Sequence, residues 1–273
     1  MRLSIISDEL SPDLNTALEL LHDFPACREM ELRRLGLDML PAVDPRWLDI
    51  AEKAMQNRRL KIAALSATWS EKTPELLALA ERFHCDLVSI TLPDDENADV
   101  PEGFVSFCEN AASKKIQVAL RNHPESIAAT AEETLNLIEE LAQPNLGIDW
   151  DPASGMSAGD GTGLEDIERI TPMLNILHVR DAIRRGLSAD WAPLGKGVIP
   201  WEDILELLFR AKYRGPVVLD LGMPHKIREA RTALPLVARW LEACRMRRED
   251  ADRDEENDED EPRFSSRRPP KRR

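Results

Sequence analysis

The chain has 273 residues, 42% of them hydrophobic, and a formal net charge of −14. That charge argues against a non-specific nucleic-acid binder, and the apolar fraction argues against disorder throughout. No apolar run approaches the roughly 20 residues of a membrane span, and the N-terminal stretch turns acidic at Asp8 and Glu9, too early for a secretory signal.

Leu3 to Ile6 is the first expected strand, closed by Ser7-Asp8-Glu9-Leu10, with Ser11 and Pro12 capping a helix that carries Leu14, Ala17, Leu18 and Leu21 on one face. Glu29 to Arg33 is the second strand, with Met30 and Leu32 on one side and Glu31 and Arg33 on the other. Asp44-Pro45 opens the next helix. Lys61 to Leu65 is a third strand, followed by a helix starting at Thr73-Pro74-Glu75. Asp86 to Leu92 predicts a strand and Phe104 to Ser113 a helix. Ile116 to Leu120 comes next and ends in Arg121-Asn122-His123-Pro124. Thr130 and Glu133 then have the spacing of a capping box.

Leu146 to Trp150 is the sixth strand, ending in Asp151-Pro152-Ala153-Ser154, and a short helix from Leu164 to Ile170 follows. The seventh strand is Asn175 to Asp181, leading into a long loop from Ala182 to Pro200 and a helix from Trp201 to Ala211. Pro216 to Leu221 is the eighth strand, and a helix from Ile227 to about Cys244 closes the pattern. Eight strand–helix units predict an α/β protein with a single (β/α)8 barrel over residues 1–246. Residues 247–273 differ in kind. Glu249 to Glu261 holds ten acidic residues and one arginine, and Arg263 to Arg273 holds six basic residues, so a disordered charged tail is expected. Cys27, Cys85, Cys108 and Cys244 lack metal or redox spacing and are expected as reduced thiols in a cytoplasmic protein.

In such a barrel, chemistry sits where strands end. Those ends supply Glu31 and Arg33, Arg121 and His123, Asp149 and Asp151, His178 and Arg180, and Asp220. Charged groups aimed into a barrel are costly unless paired or bound to something, so their convergence predicts a site. Arg121, Arg180, Arg184, Arg185 and Lys196 at strand ends and on the seventh loop favour an anionic small molecule over a neutral one. Arg184 and Arg185 are read as solvating the loop tip. Gly159-Asp160-Gly161-Thr162-Gly163 is read as a turn, because it does not open a dinucleotide-binding unit. Trp69 and Trp191 lie near loop positions and are candidates for capping a bound ligand, and His225 for a substrate contact.

Six motifs in order carry a family resemblance: Ser7-Asp8-Glu9-Leu10-Ser11, Glu31-Leu32-Arg33, Asn122-His123-Pro124, Asp151-Pro152-Ala153, His178-Val179-Arg180-Asp181 and Leu194-Gly195-Lys196-Gly197. Together they resemble the xylose isomerase-like TIM-barrel family of sugar phosphate isomerases and epimerases, a group that also includes hydroxypyruvate isomerases, inosose dehydratases and endonuclease IV. The resemblance implies proton transfer next to a carbonyl of a small carbohydrate, assisted by a divalent metal (Mn, Mg, Co or Zn). It assigns metal ligation to Asp151, His178 and Asp220, and acid–base roles to Asp220 with Glu31 or Glu125. Substrate binding falls to Arg121, His123, Arg180 and Lys196.

Where the family has a metal-binding Glu after the fifth strand, this chain has Arg121, which cannot coordinate a metal. Two expectations follow. Either the metal keeps three protein ligands and water, or Arg121 replaces it and pairs with Asp149 or Asp151 in a metal-independent, or even non-catalytic, carbohydrate-binding or anion-binding barrel. Isomerisation, epimerisation and dehydration all stay open, as does a homo-oligomer; neither nucleic acid nor membrane is an expected partner.

Overall fold

A computed structural model describes residues 1–11, 13–93, 99–186, 188–222 and 226–260. Eight parallel strands close on themselves: β1 (Arg2–Ile6), β2 (Glu29–Leu32), β3 (Lys61–Thr68), β4 (Leu87–Thr91), β5 (Gln117–Arg121), β6 (Leu146–Trp150), β7 (Leu174–Val179) and β8 (Pro216–Leu219). Each strand pairs with its neighbours in chain order, and β8 pairs with β1 through Arg2↔Pro216 to Ile5↔Leu219. This is the (β/α)8 barrel expected from the strand–helix alternation.

The outer ring is α1 (Leu14–His22), α2 (Pro45–Arg58), α3 (Leu76–Arg82), α4 (Phe104–Ser113), α5 (Ala131–Leu141), α6 (Ile167–Ile170), α7 (Trp201–Arg210) and α8 (Lys226–Asp260). Strand residues of one parity, such as Leu65, Val88, Leu120, Trp150 and Val179, pack outward against the helices in one continuous core. Fully burying a side chain of this size contributes roughly 1.5–3 kcal/mol. The other parity points into the barrel, where Ile6, Ala64, Leu87, Ala119, Ile176 and Val218 form a dry plug. Above that plug, toward the C-terminal ends of the strands, the inward residues become polar.

Local chemistry explains most helix boundaries. Thr130 accepts the Glu133 N–H, and the Glu133 side chain returns to the Thr130 backbone, so the expected capping box is present on α5. Asp44 caps α2 as expected, with Pro45 at its first position. The α1 cap is Asp13, which accepts the Thr16 N–H at 2.8 Å, rather than Ser11; Pro12 lies outside the described residues. A one-turn helix, Ser7–Leu10, and a small hairpin of Arg34–Leu35 with Asp38–Met39 were not expected, and two larger departures lie near the site. A helix, Pro152–Ala158, follows β6 directly, and part of the expected long loop after β7 is an antiparallel hairpin of Asp181–Arg185 with Ser188–Ala192. The closing helix runs on to Asp260, past the boundary drawn at residue 246, and 261–273 lie outside the described residues. All four cysteines are buried and free, as their spacing implied.

Candidate active site at the C-terminal end of the barrel

Two irregularities in strand register lie where the polar layer begins. The β2–β3 register shifts between Met30 and Glu31, and the β6–β7 register shifts between Ile148 and Asp149. Such shifts re-aim side chains, and here they occur beside the two acids that point deepest into the barrel. Glu31, Asp149, Asp151 and His178 have no solvent exposure, and Asp220 and Arg121 are only 3% and 8% exposed. Four carboxylates share a nearly dry space, which is stable only if cations share it too.

Arg121 supplies the central cation. Its Nη2 lies 2.9 Å from Asp220 Oδ2 and 3.7 Å from Asp151 Oδ2, and its Nη1 lies 3.8 Å from Glu31 Oε1 and 3.4 Å from His178 Nε2. His178 is the second cation: Nε2 sits 3.0 Å from Glu31 Oε2 and 3.2 Å from Asp149 Oδ1, and Nδ1 sits 3.8 Å from Asp220. Burial and the Arg121 charge oppose protonation of His178, but the Asp149 and Glu31 carboxylates outweigh both and hold it well above the usual histidine range. Burial alone would raise Glu31, yet His178, Arg121 and the Ser66 hydroxyl bring it down to about 2. Asp220 falls well below its ordinary value against the same burial, through Arg180, His178 and Arg121. Four buried carboxylates thus share the centre with the Arg121 and Arg180 guanidiniums and His178, one more acid than there are cations.

Supporting residues lock each acid. Ser66 donates to Glu31 at 2.6 Å, and Ser89 donates to Asp149. Asp151 caps the helix that follows it, accepting the Ala153 N–H at 3.0 Å and the Ser154 N–H at 3.2 Å through Oδ1. Its Oδ2 accepts from Ser154 Oγ at 2.9 Å and from Arg180. The Asn122 amide clamps the Asp151 backbone on both sides, at 2.7 and 3.0 Å, and so ties β5 to β6 at their ends.

Arg180 forms the half-buried roof. It contacts Asp151, donates to Ser154 at 2.7 Å, approaches Asp220 at 3.7 Å and lies 3.7 Å over the ring of Trp191 from the hairpin. His123 stands beside it, half-buried. Its Nδ1 accepts the Glu125 backbone N–H at 3.2 Å, which leaves the proton of the neutral ring on Nε2. Burial and the nearby Arg121 and Arg180 charges lower its pKa, so the neutral, donating ring prevails at neutral pH.

Arg121, Asp151, His178, Arg180, Asp220 and Glu31 therefore meet, as their strand-end positions predicted. Glu125 and Lys196 are exposed and make no contact with the central ions. Lys196 projects from a turn that Asp181 holds by accepting the Gly195 and Gly197 N–H groups at 2.9 Å each. Arg184 and Arg185 are exposed on the hairpin, bonded to the Asp160 carbonyl and to Asp190. Trp69 packs edge-on against Phe104 and Phe107 and has no place in the site, whereas Trp191 does. His225 lies outside the described residues. Residues not singled out from the sequence are Ser66, Ser89, Ser154 and Asp181. Inward parity on β3 and β4 marks the first two; the others are read only from the folded turn.

The three side chains assigned to metal by resemblance do not surround an open centre. Asp151, His178 and Asp220 surround the Arg121 guanidinium, and four donors already occupy the Asp151 oxygens. Among the described residues no three His, Cys, Asp or Glu side chains are arranged to hold a metal ion. The donor set does not fit a divalent cation while Arg121 is in place.

A closed parallel barrel with polar groups gathered at the C-terminal strand ends defines a TIM-barrel protein. The chain belongs to the xylose isomerase-like TIM barrel family, whose model matches residues 71–244. An uncharacterized protein of Methanocaldococcus jannaschii is 24% identical over 152 residues, 54% of this chain and 49% of that protein, so the match spans about half the length of that relative. Among solved structures, a D-tagatose 3-epimerase-like protein superposes with a TM-score of 0.72 at 17% identity, covering 90% of this chain and 99% of its own. The IolI protein, solved with a bound zinc atom, superposes with a TM-score of 0.70 at 17% identity, covering 88% and 98%.

Proposed function

We propose that this barrel takes a small anionic carbohydrate at its C-terminal end and acts on it as an isomerase or epimerase, with the Arg121 guanidinium doing the electrostatic work of the family's divalent cation. The observation that carries this reading is the place of Arg121, within 2.9–3.8 Å of Asp220, His178, Asp151 and Glu31. A guanidinium fixed there stabilises negative charge on a substrate oxygen without reorganising during the reaction. Arg180 and the Nε2–H of His123 add donors on the solvent side, suited to a phosphate or carboxylate group.

Of the two carboxylates expected to move protons, Glu31 is wholly enclosed and held near pKa 2, which makes it a poor base. Asp220, slightly exposed at the edge of the cluster, is the carboxylate we assign to proton transfer, so the mechanism proposed uses one base. A second reading, binding without turnover, is favoured by the depressed pKa of Asp220 itself. The working compartment proposed is the cytoplasm, with no nucleic acid or membrane as partner. The net charge of −14 supports this, and no helix among the described residues is long and apolar enough to cross a membrane.

Proton NMR in D2O separates these readings, using a panel of ketose phosphates and sugar acids with EDTA present. The proposal expects deuterium to enter the carbon beside the carbonyl, with EDTA having no effect and Arg121→Gln abolishing exchange. Saturable binding without exchange supports the binding reading. Loss of exchange on adding EDTA, or full exchange in Arg121→Gln, overturns the role given to Arg121.

A further inference from the structure

The opposite, N-terminal end of the barrel carries a cavity of about 560 Å³, lined by the starts of β1 to β4 and by the ends of α2 and α3. That volume is in the range of small-molecule sites. Its wall has an apolar side of Leu60, Ile62 and Phe83, each half-buried. Its polar side is unevenly paired. Arg2 is engaged by Glu29 at 2.8 Å, and Arg82 is engaged by Glu52 at 3.2 Å. Arg59, Lys61 and His84 also line the cavity, and among the described residues none of their side chains has a hydrogen-bond or ion-pair partner. Asp86 is the one lining carboxylate left to oppose them.

A second observation points the same way. Five described residues other than glycine have left-handed backbone: Arg59, His84, Lys115, Ala142 and Lys212. All five lie in turns that lead from a helix into the next strand, at the N-terminal end of the barrel. Glycine adopts this conformation freely and is the usual residue there, whereas an L side chain is strained. Four of the five carry basic side chains, in a chain whose net charge is −14. The two that line the cavity, Arg59 at φ 53° and His84 at φ 52°, are among them.

We propose that this cavity is a second ligand site, separate from the C-terminal cluster, that takes a small organic phosphate. Its phosphate sits among Arg59, Lys61 and His84, and its less polar body lies against Leu60, Ile62 and Phe83.

Calorimetric titration of the full chain with AMP, pyrophosphate and adenosine tests this. AMP and pyrophosphate are expected to bind saturably at one site, and adenosine at least about tenfold more weakly than AMP, since a charge-assisted contact is what it lacks. Lys61→Gln is expected to weaken AMP about tenfold. Arg59→Gly is expected to weaken AMP as much while raising the unfolding temperature, because it removes the guanidinium and the backbone strain together. A residue that only packs would move the temperature and leave affinity alone. Arg180→Gln, at the far end of the barrel, is expected to leave AMP affinity unchanged. Failure of both anions to bind, undiminished affinity in Lys61→Gln and Arg59→Gly, or loss of binding in Arg180→Gln overturns the proposal.

Discussion

His178 shows how much a neighbourhood decides about a residue. The family resemblance makes it a metal ligand, which requires a neutral imidazole; among Glu31, Asp149 and Asp220 it is held as a buried cation. The sign of its pH linkage follows. The raised His178 pKa contributes stability that is complete below the unfolded value of about 6.5 and is lost as pH rises through the folded value. Glu31, lowered to about 2, contributes stability that is complete above about 4.5 and is lost as pH falls toward 2. The pair is thus fully stabilising between about pH 4.5 and 6.5. Urea unfolding across pH should show stability declining on both sides of that window, with the alkaline decline reduced in His178→Gln. A flat profile from pH 5 to 9 in the native chain would show that His178 is not held as a cation. The residues that meet here were legible because strand parity forces them inward. Their partners Ser66 and Ser89 were not, since serine in a strand is as much at home on a solvated face.

At the scale of elements, the hairpin after β7 is the main departure from the loop read in the sequence. Its strands are short and polar, so no apolar alternation announces them. What anchors it is Asp181, whose carboxylate gathers backbone N–H groups from Ala182, Gly195, Gly197 and Ile199. The Leu194-Gly195-Lys196-Gly197 motif thereby acquires a structural reason. A Cβ at Gly197 would lie 2.0 Å from Asp181 Oδ1 and 2.4 Å from the Ala182 carbonyl. Gly197→Ala is expected to displace the hairpin, at about 1–3 kcal/mol of stability for such overpacking. It should also part Trp191 from Arg180, read as a change in tryptophan emission. An unchanged emission spectrum would show that the hairpin does not depend on this latch.

For the whole molecule, barrel closure decides which groups meet water. Burial pushes the Cys27, Cys85 and Cys108 thiols up to about 12, and Cys244 is raised as well. A thiol that stays protonated and enclosed does not react. The native chain at pH 8 is expected to resist a thiol reagent such as DTNB on the timescale of minutes, and all four cysteines to react in denaturant. Rapid labelling of even one in the native chain would mean that the helical ring opens locally there. Closure also gives the molecule two chemically distinct ends: a lattice of buried ions above the apolar plug, and basic turns below it.

The order of strands and helices, the barrel and the set of side chains at the strand ends follow from the sequence alone, because a two-residue period in strands and capping residues at helix starts are local physics. Which of those side chains bond to one another does not. Arg121, Glu31, His178 and Asp220 come from four different strands, separated by up to 189 positions from Glu31 to Asp220. Only closure brings them within 4 Å, and only there does desolvation force the buried carboxylates to share their space with a guanidinium.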